Sequence, residues 1–290
     1  MRIMDVNEFN ESYLTLNEET KKAIKELESL TGKEVIFRLI KNEEAHTYFK
    51  LKIKLAREIM DNHIIVINED NIDNKEELNY WIVHEIVHGL RLFSADKSDR
   101  VTFKASNSKL ESLNEKIWIE SESKFKKIGI ERLKAMSYIN FLTNNTFQLL
   151  YNSAVDARIE MYIYNNYPAL RDLQKQAQKN YAKSILESFD KKRAVIIPDW
   201  VLIRVNAMNY AYLTKVTPII GSSWRGKANT YKASGFRDLV NKLIDDLEKE
   251  DNGQITDIES CNYWAEVLDI KDYFRFDDFE NIDYLYTLMN

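Results

Sequence analysis

Apolar positions recur along this chain in two rhythms, and the rhythm changes as the chain proceeds. Ala23, Ile24, Leu27 and Leu30 fall three and four apart within residues 17–30, with Gly32 just beyond, which predicts a helix closed by glycine. The pattern then becomes strand-like. Val35 to Ile40 is β-branched and aromatic; residues 48–55 alternate through Phe49, Leu51, Ile53 and Leu55; His63 to Ile67 is a short apolar run ended by Asn68, Glu69 and Asp70. Helical spacing returns over residues 79–90, where Ile82, Val83, Ile86, Val87 and Leu90 predict a mostly buried helix. Asn74 followed by Glu77 has the spacing of a capping box at its start, and Asp73 adds charge of the sign that the helix dipole favours there. The order is α-β-β-β-α.

Beyond Leu92 a polar loop runs through residues 94–99. Residues 108–135 read as one or two amphipathic helices. A second long apolar helix over residues 138–164 carries Phe141, Leu142, Phe147, Leu150, Val155 and Ile159, with Pro168 past its end. Further helices are predicted at about 169–189, 198–214, 234–250, 259–268 and 277–288. Residues 217–235, with Pro218, Gly221, Gly226 and Gly235, read as a mobile or substrate-facing loop. The expected class is α+β: an N-terminal α/β half over residues 1–92 and a mainly helical part over residues 93–290, together one working unit.

Composition changes this picture only at its edges. Seven glycines and three prolines in 290 residues favour long helices over tight turns. The net charge of −5 gives no basic field for nucleic acid, so the lysines at 124, 126 and 127 and the run Lys191, Lys192, Arg193 read as solvated helix faces. Cys261 is the only cysteine, which excludes an intramolecular disulfide and a cysteine-rich zinc site and points to a reducing cytoplasm. The first residues lack an apolar leader core and no run is long enough for a membrane span, so a soluble, cytoplasmic protein is expected.

Chemistry enters with His84-Glu85-Ile86-Val87-His88 inside the apolar helix. Residues four apart share a helix face, so both imidazoles can reach one metal ion at about 2.0–2.1 Å. Glu85 then faces the metal's open side, where it can take a proton from a bound water whose pKa the metal lowers to roughly 7. Two other histidines exist, His46 and His63, and neither has a spacing that favours ligation.

A catalytic zinc normally takes three protein ligands. The position six residues after His88 is Ser94, so a third histidine at the metzincin spacing is absent, and the third ligand is expected to be a carboxylate on another helix, or else Cys261. Glu120, Glu122 and Glu131 lie in charged surroundings that read as solvated faces. Asn152, Asp156 and Glu160 differ, because they share one face of the second apolar helix. Asp156 is the candidate ligand and Glu160 the alternative, with Asn152 and Arg158 orienting ligands. The competing reading is an internal ion pair between Arg158 and a carboxylate.

The His84-Glu85-x-x-His88 motif with a downstream helix reading Asn152-x-Ala154-x-Asp156 resembles the zincin-type metallopeptidases, in particular bacterial metallopeptidase domains found beside von Willebrand A modules. The likeness covers the motif helix, the strand before it and the helix over residues 152–160; Asp156 lies 68 residues after His88. It implies a small mixed sheet packed on the motif helix, zinc as cofactor and Asp156 as third ligand. Where the gluzincins carry glutamate four residues before the aspartate, this chain has Asn152.

The expected activity is zinc-dependent hydrolysis of peptide bonds in a protein or peptide substrate, with Glu85 as general base. The alternative is an interaction or sensor protein in which metal stabilises the fold without turnover. An oxyanion donor would be needed; Tyr162, Tyr164 and Arg158 lie near Asp156 in sequence, and none is singled out.

Overall fold

A computed structural model describes residues 2–44, 50–189 and 196–280. His46 and the Lys191, Lys192, Arg193 run lie outside the described residues. The fold is α+β, mainly helical with a small mixed sheet, and the chain divides into two compact units.

The first unit comprises Met1–Thr102, Tyr162–Ala177 and Asp277–Asn290. It opens with strand β1 (Arg2–Asp5) and helix α1 (Val6–Ser12), followed by α2 (Glu18–Thr31), β2 (Glu34–Ile40), β3 (Leu51–Lys54), β4 (Asn62–Asn68) and α3 (Leu78–Ser94). The strands lie in the order β1-β2-β4-β3, antiparallel at both outer pairs and parallel between β2 and β4. Alternation sets the faces: Phe37, Leu39, Ile65 and Ile67 are buried, as are Ala23, Ile24 and Leu27 of α2 and Ile82, Val83, Ile86 and Val87 of α3. The α-β-β-β-α reading holds, with a prefix it lacked. Leu16, Met4 and Phe9 are buried near the start, and the Phe9 ring stacks on Phe37 with centroids 3.8 Å apart.

Two contacts fix where α3 lies. The Asn79 side chain accepts hydrogen bonds from the Asn17 amide (2.9 Å) and the Thr20 hydroxyl (3.0 Å), fastening the first turn of α3 to the start of α2. At Gly89 a side chain would begin 2.7 Å from Leu55 Cδ2 and 3.1 Å from Leu27 Cδ1, so glycine permits the close approach. The start of α3 differs from the expected capping box. Asn74 does cap, accepting from the Glu76 amide at 3.0 Å, but it caps a 3-10 turn over Lys75–Glu77, and Glu77 enters α3 already in helical conformation.

The second unit comprises Phe103–Met161 and Gln178–Phe276. Strand β5 (Val101–Ala105) leads into α4 (Asn107–Lys127), and α5 (Arg132–Asn166) then runs 35 residues without a break. After α6 (Arg171–Glu187) come α7 (Asp199–Lys215), the short α8 (Thr217–Ile220) and α9 (Arg225–Ala228), α10 (Phe236–Leu247), α11 (Gln254–Val267) and β6 (Phe274–Asp278). Residues 217–235 therefore hold two single-turn helices where a loop was expected. The helix expected at 277–288 begins instead as strand through Asp278, with its residues from 281 outside the described ones; β6 pairs with β5, and Phe274 stacks on Phe103. Among the described residues no helix is long and apolar enough to cross a membrane.

Candidate metal centre

In α3 the His84 and His88 rings are neighbours, with centroids 5.1 Å apart and planes at 72°. One turn of helix brings them to the same face, as the spacing requires. His84 is buried and flanked edge-on by Tyr80 and Trp81 at 6.2 and 5.8 Å, while His88 and Glu85 are half-buried. The gradient suits ligation, because the inner imidazole is held by aromatic packing and the outer pair of side chains keeps access to solvent. Glu85 is held as well: its Oε2 accepts the Ile53 amide of β3 at 3.2 Å.

The acidic face of α5 belongs to the second unit. Along it Asn152 is exposed, Asp156 half-buried and Glu160 fully buried. Tyr181 and Tyr212 meet edge to face 5.5 Å apart, and the Tyr212 hydroxyl donates to Gln178 Oε1 at 2.6 Å. Burial first, and the charges of Asp156 and Glu160 after it, push the Tyr181 hydroxyl above its ordinary pKa, so both carboxylates lie within electrostatic reach of it. Tyr212 is raised for the same causes, burial leading.

Arg158 has partners other than the carboxylates of its own helix. Its Nη1 donates to Ala154 O (2.9 Å) and its Nη2 to Asp246 O (2.8 Å), and Nη2 stands 3.7 Å from Asp246 Oδ2 in a pair whose side chains are each 2% exposed. Trp264 Nε1 and Lys249 Nζ complete the carboxylate's partners at 2.9 and 2.8 Å. This is the internal ion pair of the competing reading, with an acid from α10 that the sequence did not nominate.

The remaining candidates are accounted for locally. Tyr162 packs by its ring on Tyr167, and Tyr164 lies under the Arg171 guanidinium. Cys261 is fully buried, and burial raises its thiol pKa, with Asp257 adding to the effect; a neutral thiol is a poor metal ligand. Glu120 accepts from Trp200 Nε1, Glu122 pairs with Lys126, and Glu131 is exposed. The Ile53 amide and Tyr181 carry no signal in the sequence: the first is a backbone group, and the second is one tyrosine among sixteen. No family model, no curated protein and no solved structure matches this chain.

Proposed function

We propose that this protein is a zincin-type, zinc-dependent peptidase in which His84, His88 and Asp156 hold the metal, Glu160 being the alternative carboxylate. The carrying observation is the α3 turn itself, with two adjacent imidazoles and a half-buried carboxylate beside them. Support comes also from the sequence of α5, where Asp156 shares one polar face with Asn152 and Glu160 on an otherwise apolar helix. Two imidazole nitrogens and one carboxylate oxygen match the ligand set of a catalytic zinc.

When bound, the cation would supply Lewis acidity toward a peptide carbonyl and lower the pKa of water. The chain's own groups do the rest. Glu85 takes the proton from the attacking water and returns it to the leaving amine, a role needing a carboxylate within hydrogen-bond reach of both. Trp81 and Tyr80 pack the inner imidazole in one orientation. Tyr181, half-buried and with its hydroxyl within electrostatic reach of Asp156 and Glu160, is suited to steady the carboxylate ligand.

The test is Glu85→Gln on the full chain, with metal content and peptide cleavage measured together. Metal should stay at the wild-type stoichiometry while cleavage falls about a hundredfold or more. An unaltered rate removes Glu85 from the chemistry. Metal bound by a wild-type protein that cleaves no peptide would leave the metal centre and replace the peptidase by the non-catalytic interaction protein.

A further inference from the structure

β3 is an outer strand of its sheet, and its hydrogen-bond parity can be read from one contact beyond its end. The Asn68 amide donates to Lys50 O at 3.0 Å, so Lys50 and, two and four residues on, Lys52 and Lys54 turn their backbone groups toward β4. Leu51 and Ile53 turn theirs the other way, to the open side of the sheet. There the Ile53 amide meets Glu85 Oε2 at 3.2 Å. The donor is thus spare with respect to the ladder, and it is spent on the one carboxylate that the proposed reaction uses as a base.

We infer that the Ile53 amide is a positioning group for Glu85: it ties one carboxylate oxygen to the sheet and thereby fixes the direction in which the other presents itself to water. The inference rests on the proposed function. A glutamate held only by its own rotatable bonds samples several rotamers, and general-base efficiency depends on the fraction pointing at the proton. A single amide donor to a charged acceptor is strong enough to select one of them. Because the anchor is backbone, it moves with the strand and is present with any residue but proline at position 53.

Ile53→Pro removes the donor without removing a ladder bond, since proline is tolerated on outer strands where the amide faces away from the sheet. Metal content and KM should stay within about twofold of wild type while kcat falls about tenfold or more, the worth of one hydrogen bond to a charged group. Leu51→Pro, which deletes the other outward amide, should leave kcat within about twofold. An unchanged or raised kcat for Ile53→Pro, or an equal fall for Leu51→Pro, overturns the inference. A second measurement needs neither metal nor turnover. In the metal-free protein, Glu85→Ala should speed hydrogen exchange at the Ile53 amide about tenfold, with the Lys52 and Lys54 amides unaffected; unchanged Ile53 protection overturns the inference. Should the wild-type protein cleave nothing, the proposed function fails, and the exchange experiment still decides whether Ile53 holds Glu85.

Discussion

Two buried histidine environments lie in the first unit, and they solve opposite problems. His63, in β4, is fully buried; its Nδ1 accepts the Ala56 amide and its Nε2 bonds the Thr31 hydroxyl, both at 2.9 Å. Both nitrogens serve the chain, and burial, with Lys33 adding to it, lowers the pKa to about 4, so the ring is neutral. The α3 pair instead face each other across one helical turn beside a half-buried carboxylate. Burial alone does not set the two environments apart; what marks His63 is that an amide and a hydroxyl of the chain occupy both its ring nitrogens.

The difference can be broken from either side. The largest effect is expected for His84→Ala, which should cut cleavage by about a thousandfold or more together with metal content, since two remaining ligands hold zinc poorly; metal analysis and a peptidase assay check it. His63→Ala should do the reverse, leaving metal stoichiometry intact while lowering stability by about 2–4 kcal/mol in urea unfolding, through a cavity and two orphaned polar partners.

Acid should sharpen the contrast. The unfolded chain protonates His63 near its ordinary 6.5 and the folded chain near 4, so between those values the unfolded state binds more protons. Stability from this residue is full above about pH 6.5 and falls as pH drops toward about 4, by about 3 kcal/mol at most. Urea midpoints across that range should therefore flatten in His63→Ala relative to wild type. Smaller again, Gly89→Ala places a carbon 2.7 Å from Leu55 Cδ2. Leu55 is only half-buried and can give way, so the net cost should be about 1 kcal/mol in the same assay, after the gain in helix propensity offsets part of the overlap.

How much of this was legible varies by residue type and by distance along the chain. The α3 helix and the strands β2 and β4 announce themselves because their faces are set by local period, and the histidine pair because spacing four on a helix is a geometric statement. β1 was not legible: Arg2-Ile3-Met4-Asp5 is four residues with one buried side chain, and its partner β2 lies more than 30 residues away. β6 carried a readable period of two in Phe274 and Phe276 that gave way to a helical reading of the residues after it. The Asn152, Asp156, Glu160 face was visible as polar spacing on an apolar helix. That Arg158 would pair with Asp246, 88 residues downstream, was not, because long-range partners leave no trace in a local window. The Ile53 contact is further out of reach, since every non-proline residue carries the same amide.

The bare α-carbon at position 89 acts as a gauge block between the edge strand and the motif helix. Leu55 follows β3 by a single residue, so whatever props the helix away from Leu55 also drags the Ile53 nitrogen off the Glu85 oxygen. A larger group there, one that the Leu55 side chain could not swing aside to admit, would detune the proposed base by altering a spacing, and catalytic rate would become a ruler for the gap between two backbones.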